Sequence, residues 1–377
     1  MKTKTIHCSV QFVTPAFVGG ANQAAQWRTP PFKALLRRWW RVVWVVRAGT
    51  SQRPDVNKLR QAEAELFGTA ADKSDPAGSR ASRVKLRLDW RGVEELRPEQ
   101  WRVRTGKVKH LEVERAGYQV DAALYLGYGP LDFDKQKGHR LNRPSALPAG
   151  NKRELTVRVP PEEADSIKTA LCLAHSFGGL GSRNRNGWGS LHFEQGGLNP
   201  EELKGFLEPD NREAREWLRA FSRAWQEALD SDWCHAVGRD DRGLLIWRTD
   251  AMDRWEDVMA RLAEVKIAFR TQFRSSEPGT PSGLKKRHLL AYPITRHAYH
   301  AIPHEHAWNR SANQVVFKVL ALPGGAYVGL AAHLPHALPQ RLLNGVPESE
   351  RDQVRDMELQ VWPRVHEKLD ETLTRLP

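Results

Sequence analysis

Long apolar runs are missing from this chain. No stretch approaches ~18 consecutive apolar residues, so none reads as a membrane-spanning helix. The opening MKTKTIHCSV lacks the apolar core of a secretory leader. Cysteine is scarce: Cys8, Cys172 and Cys234 are odd in number, far apart and without a CxxC pair. That excludes a disulfide framework and a cysteine zinc box, and makes a reducing cytoplasm the expected compartment. Negative charge is in deficit, with 45 Asp+Glu against 58 Lys+Arg and a net charge of +13. Such a surplus attracts polyanions without specifying a fold. With no membrane segment, nucleic acid is the expected partner.

What is present is a globular composition, 40% apolar and 27% charged, over 377 residues, enough for two or three domains. Most of the fourteen tryptophans are expected in cores, with a few free to stack on bases. In TIHCSVQF, Ile6, Cys8, Val10 and Phe12 alternate with polar residues, the period of a half-buried strand. PPFKALLRRWWRVVWVVRAG places Phe32, Leu35, Leu36, Trp39, Trp40, Val43 and Trp44 on one helical face behind Pro31. Lys33, Arg37 and Arg41 step along its flank, either a solvated row or a phosphate-facing one. KLRQAEAELFG reads as a short helix stopped at Gly68, VKLRLDW as a strand, and residues 91–150 as an insertion with hairpin character. RELTVRV is a strand, PPEEADSIKTALCLAHSF a helix ending at Gly178, and GWGSLHF a strand.

The order βαββαβ is ferredoxin-like, an antiparallel sheet with both helices on one face. After a helical connector come a strand at LLIWR, a helix over Trp255–Phe269, strands QVVFKVLAL and AYVGLAA, and a terminal helix from about Arg351 that Pro363 should kink or restart. The expected class is therefore α+β, with two tandem ferredoxin-like domains: residues 1–197, and a divergent second copy within 198–377.

The stretch HSFGGLGSRNRNGWGSLHF holds five glycines (Gly178, Gly179, Gly181, Gly187, Gly189) and, among them, Arg183 and Arg185. A nucleotide P-loop leaves a strand, enters a helix and carries a Gly-Lys pair; this stretch leaves a helix, enters a strand and has none. A left-handed helix cap at Gly178 would account for one or two glycines. Bare backbone approaching a phosphodiester, with guanidiniums set by the turn, would account for all of them.

FGGLGSRNRNGWGS resembles the glycine-rich signature of the RAMP superfamily of CRISPR proteins. TPAFVGGA, FKALLRRWWR, EAELFG, SRASRVKL and YLGYG follow in order, a succession similar to the branch that supplies subunit one of the Cmr complex, the type III-B effector. RHLLAYPI adds a weaker match. The resemblance implies ferredoxin-like, RRM-like domains and a non-catalytic subunit. Its partners would be guide RNA, target RNA near the guide's 3′ end, and other Cmr subunits. It also implies RNA contact by the glycine loop, Arg183 and Arg185, then by Lys33, Arg37 and Arg41. Lys285, Lys286 and Arg287 in GLKKRH, and the alternating Arg102, Arg104, Lys107 and Lys109, are further basic candidates.

Other chemistries stay open. Target-cutting relatives use an Asp in the loop after their first strand, but residues 14–30 contain no Asp or Glu. Asp132 and Asp134 are expected to point to opposite sides of an extended segment. A metal-independent ribonuclease would need a histidine base, with His7 and His175 as candidates. His297, His300, His304 and His306 crowd one stretch but match no zinc-finger spacing, so a basic loop is expected there, with no metal or cofactor. A purely assembling subunit is the remaining alternative.

Overall fold

A computed structural model describes residues 2–49, 54–70, 79–89, 94–134, 136, 138–194, 207, 212–274, 276–292 and 310–376. The alternating apolar set does form strand β1 (Lys4–Phe12), with Ile6, Cys8, Val10 and Phe12 buried. After it come α1 (Thr29–Arg47), α2 (Val56–Phe67) and β2 (Lys85–Leu88). Pro30 and Pro31 lie in the first turn of α1, where no intrahelical N–H bond is lost. Asp55 caps α2 by accepting from the Asn57 and Lys58 amides.

The insertion holds two hairpins around a short helix. They are β3 (Lys107–Lys109) with β4 (Gln119–Asp121), then α3 (Ala122–Gly127), then β5 (Leu131–Asp134) with β6 (Gly138–Leu141). The unit closes with β7 (Lys152–Val159), α4 (Ala164–Phe177) and β8 (Leu191–Glu194). The sheet runs β2-β7-β1-β8, antiparallel throughout, with Cys8 opposite Leu155 and Val10 opposite Phe193. This is the ferredoxin-like order.

A connector follows: α5 (Arg212–Arg219), β9 (Ser222–Ala224), α6 (Trp225–Ala228), β10 (Val237–Asp240) and β11 (Gly243–Leu244), its strands forming a small sheet. Then β12 (Ile246–Arg248), α7 (Trp255–Thr271), α8 (Lys286–Leu290), β13 (Val315–Ala321), β14 (Tyr327–His333), α9 (Gln340–Leu343), α10 (Arg351–Thr372) and β15 (Thr374–Arg375) complete the chain. The sheet order β13-β14-β12-β15 repeats that of the first unit. The second copy thus has all six elements, βαββαβ, where the sequence pattern gave five. Its last strand is two residues long, too short to show a period. Helix α10 runs through Pro363 as one element instead of restarting.

Both faces of the second sheet are covered. Val315, Phe317, Val319 and Ala331 share a core with α7 and α10. Val316, Leu320, Val328, Leu330 and Ala332 share the other core with α1, α4 and the inner face of β1. This is why β13 and β14 read as near-continuous apolar runs. Lys318 interrupts β13 on the side facing the first unit. Its ammonium is fully enclosed and donates to the Gly178 carbonyl at the end of α4 and to the Leu191 carbonyl. A cation at a helix C-terminus faces the negative end of the dipole. Burial holds this lysine's pKa well below the ordinary value.

Candidate nucleic-acid interface

The glycine-rich loop joins the two units, and its glycines face protein. A Cβ at Gly178 would sit 2.4 Å from the Ala174 carbonyl oxygen, and one at Gly181 2.7 Å from the Phe17 backbone. At Gly187 it would meet Met259 Sδ of α7 at 2.7 Å, at Gly189 the Leu180 carbonyl oxygen at 2.0 Å, and at Gly179 the Gly189 carbonyl at 3.0 Å. Gly178 is extended, φ −90°, and not the left-handed cap its position suggested. The loop backbone is satisfied internally. Thr14 and Ser190 hydroxyls donate to the Gly187 carbonyl (2.7 and 2.9 Å), the Gly189 amide donates to Pro15, and the Phe317 amide of β13 donates to the Arg185 carbonyl (2.9 Å). Close packing of the chain on itself therefore accounts for the bare backbone, in place of approach to a phosphodiester.

The arginines diverge. Arg185 turns inward, where its Nη1 donates to the Asn313 carbonyl (2.7 Å); burial, and then Arg38, lower its pKa to about 9. Arg183 is exposed at the turn, in the left-handed region at φ +62°. Its Nε donates to the Tyr128 carbonyl (2.7 Å), beside the side-chain-free Gly129. Arg143 from the insertion donates through Nη2 to Ser182 Oγ (3.1 Å). Behind the turn, buried Asn186 donates to the Leu126 carbonyl of α3 (2.8 Å) and accepts from Lys266 Nζ of α7 (2.7 Å). Lys266 also lies over the Tyr125 ring at 5.9 Å. Arg270 lies one helical turn further along α7.

Charge is not balanced here. Among the described residues, Arg143, Arg183, Lys266, Arg270 and Arg310 have no carboxylate in ion-pair reach. Buried Nε atoms of Arg143 and Arg270 have no partner. Although Arg183 is exposed overall, enclosure of part of its side chain by the turn lowers its pKa, and Arg310 and Arg270 push it further down. Burial likewise lowers Lys266, with Arg270 and Arg183 adding to it. These cations form a locally uncompensated cluster, with Arg183 and Arg310 exposed on its outer side, which favours an anion. Lys266 and Arg270 were missed in the sequence because VKIAFR reads as a buried helix face crossed by ordinary charges. Arg143 and Arg310 stand in loops with no periodicity to mark them.

The other candidates scatter. Arg37 and Arg41 of α1 both donate to buried Glu63 of α2. Burial raises the Glu63 pKa, but the two guanidiniums outweigh it and hold the carboxylate low. The row thus pins α2 to α1, with Lys33 beside it, its pKa lowered by burial and then by Arg37. Glu63→Gln should cost about 1 kcal/mol in urea unfolding, since it neutralises the buried carboxylate of two ion pairs whose guanidiniums stay partly in water; no measurable loss would mean the row is merely solvated.

Arg287 makes a bidentate pair with Glu112 (2.6 and 2.9 Å) and is buried, so it ties α8 to the first hairpin and presents no free charge. Lys285 and Lys286 stand half-exposed at the start of α8. Arg102, Arg104, Lys107 and Lys109 point outward, with Trp101, Val103 and Val108 buried between them.

His175 is buried, its Nδ1 accepting from the Phe193 amide (3.0 Å), so it is closed to a substrate hydroxyl. His7 is exposed on the outer face of the first sheet, opposite Thr156. Asp132 and Asp134 lie on one face of β5, as residues two apart in a strand must, and both flank Arg140 (3.8 and 3.6 Å). His297, His300, His304 and His306 lie outside the described residues. Among those described, no group of three or more His, Cys, Asp or Glu could hold a metal, and no helix is long and apolar enough to cross a membrane.

Residues 9–192 match the model of the RAMP superfamily. Similar solved structures include Cmr1 from Pyrococcus furiosus in its apo form (14% identity, TM-score 0.46, covering 96% of this chain and 97% of that one). Another is a chain of the type III-B Cmr-beta bound to cognate target RNA (10%, TM-score 0.47, 96% and 100%). A third is a chain of the same assembly with target RNA and AMPPnP in the presence of single-stranded DNA (12%, TM-score 0.46, 98% and 99%). No curated protein matches the chain. The match begins within β1 and ends within β8, so it takes in nearly all of the first βαββαβ unit, glycine-rich loop included, and that unit is a domain of the RAMP superfamily.

Proposed function

We propose that this protein is a non-catalytic, RNA-binding subunit of a type III-B (Cmr) CRISPR effector. In this reading it holds guide RNA, and target RNA near the guide's 3′ end, among other Cmr subunits. Superfamily membership and the ordered motifs of the first unit support the assignment. The observation that carries the RNA contact is the cluster of Arg143, Arg183, Lys266, Arg270 and Arg310, none of which has an ion-pair partner among the described residues. In RNA-guided machines base pairing reads sequence, and protein cations grip the backbone.

With about four phosphates neutralised, the log–log salt slope on single-stranded RNA is about −3, and affinity falls roughly 50-fold from 50 to 200 mM salt. Arg183→Gln combined with Arg270→Gln should weaken binding about 100-fold, roughly tenfold per charge-assisted contact, and flatten the slope by about 1.4. Unchanged affinity in that variant would remove the cluster from the account. RNA cleavage by the purified chain that His7→Ala abolishes would replace binding with a ribonuclease.

A further inference from the structure

Two aromatic side chains of the insertion are more than half exposed, while Tyr118 of the first hairpin is less so, at 42%. Tyr128 is 56% exposed and Phe133 58%, on either limb of the turn that opens the second hairpin of the insertion. Other large aromatics of this region, Trp101, Tyr125 and Trp188, are packed in the interior or against it. The Tyr128 backbone is tied to the cation cluster, since its carbonyl accepts from Arg183 Nε (2.7 Å). It bridges to Leu131 across Gly129 and Pro130, and the Gly129 amide donates to the Leu131 carbonyl (3.0 Å). Phe133 is two residues beyond Leu131 on the same strand face, opposite His139. Leu131 is buried, so this face of β5 begins in the core and ends in solvent. The segment that enters and begins this hairpin thus carries two exposed rings, one of them on the residue whose carbonyl holds Arg183.

A duplex would match the charge but offers no free base face to a ring. An apolar protein surface would match the rings but not the charge. A single strand supplies phosphates and unstacked bases together.

We infer that Tyr128 and Phe133 each stack an unpaired base of a single RNA strand whose phosphates meet the Arg183–Arg270 cations, so that this site selects single-stranded over duplex RNA. The inference rests on the RNA-binding reading above and adds the form of the ligand. Stacking on a ring tolerates any base, as suits a site that must accept many guides.

The test uses the full chain carrying Tyr128→Ala and Phe133→Ala, a labelled 12-nucleotide RNA strand, and the blunt duplex of the same sequence. Expected is a loss of at least tenfold on the single strand, with its salt slope intact and duplex affinity within twofold of the parent. Tyr128→Phe alone, which keeps the ring, should bind as the parent does. Both substituted side chains are exposed, so an unchanged thermal midpoint is expected and separates lost stacking from lost folding. Equal losses on strand and duplex, or no loss on either, overturn the inference. So does a variant that keeps its RNA affinity but loses a protein neighbour, which would make the rings a docking surface. If the Arg183–Arg270 variant weakens binding and the aromatic one does not, the inference alone falls; if neither does, the RNA-binding reading falls with it.

Discussion

Gly189→Ala should cost the protein about 4 kcal/mol or more by forcing apart the packed glycine-rich loop. Position 189 has φ +61°, where an L side chain costs roughly 1–2 kcal/mol. The larger contribution is overlap, because the added Cβ would lie 2.0 Å from the Leu180 carbonyl oxygen, a backbone atom with no rotamer to move. Relief requires shifting a segment that hydrogen-bonds to β1's outgoing loop through Pro15 and packs on Ala16. Forced insertion into packed interior costs about 1–3 kcal/mol and sometimes more. Gly324→Ala is the matched control. Its φ is +87° with nothing within 4 Å, so only the conformational penalty applies, about 1 kcal/mol. Urea unfolding of the two variants measures the difference. Equal losses would show that the loop glycines serve conformation and not close packing.

The second large effect is acid sensitivity. His333 is fully buried, with its Nδ1 2.9 Å from His366 Nε2 and its Nε2 3.0 Å from Gln314 Oε1. Burial, with His366 and His336 adding to it, holds the His333 pKa well below normal. Burial first, then neighbouring cations, lower both His366 and His336 to about 4. Asp240 and Asp370, across from His366, and Asp232, near His336, pull the other way and do not prevail.

The unfolded chain takes up these protons near pH 6.5, whereas the folded chain refuses them until about pH 4. Stability from this cluster is therefore complete above pH 6.5 and lost as pH falls toward 4, about 3 kcal/mol for each of His336 and His366. Glu358 opposes them. Burial raises its pKa to about 7, so the folded state gains a proton there that the unfolded state takes only near 4.5, offsetting about 3 kcal/mol. The net loss from pH 7 to 4 is then at least about 3 kcal/mol, with His333 adding to it. Unfolding free energies across that range check the sign. Glu358→Gln should steepen the acid limb, and a flat profile would mean the imidazoles reach water.

The sequence made the first unit legible because its signals are local. Ile6, Cys8, Val10 and Phe12 alternate, and the α1 face from Phe32 to Trp44 recurs at helical spacing. These residues form the elements they spell. The insertion was harder, since AALYLG is a six-residue helix, too short to show a period, that Asp121 caps by accepting from the Leu124 amide (2.9 Å) and the core packs. The candidate site was half legible. Arg183 stands where its loop placed it, but Arg185, Arg37, Arg41 and Arg287 face partners 20 to 180 residues away in the chain. Pairing at that distance leaves no mark in a local pattern. The same holds for Lys266 and Arg270, whose proximity to Arg183 is a product of how the two units dock.

Lys318 bears on how the molecule comes into being. The carbonyls of Gly178 and Leu191 emerge from the ribosome 140 and 127 residues before the ammonium that saturates them. Until then the nascent first half carries a helix end without this donor and an apolar flank that β13 will later cover. A truncation after residue 194 would leave that state permanent, and exchange of either half between relatives would have to carry this contact along. The chain is inherited as a single piece although it is drawn as two.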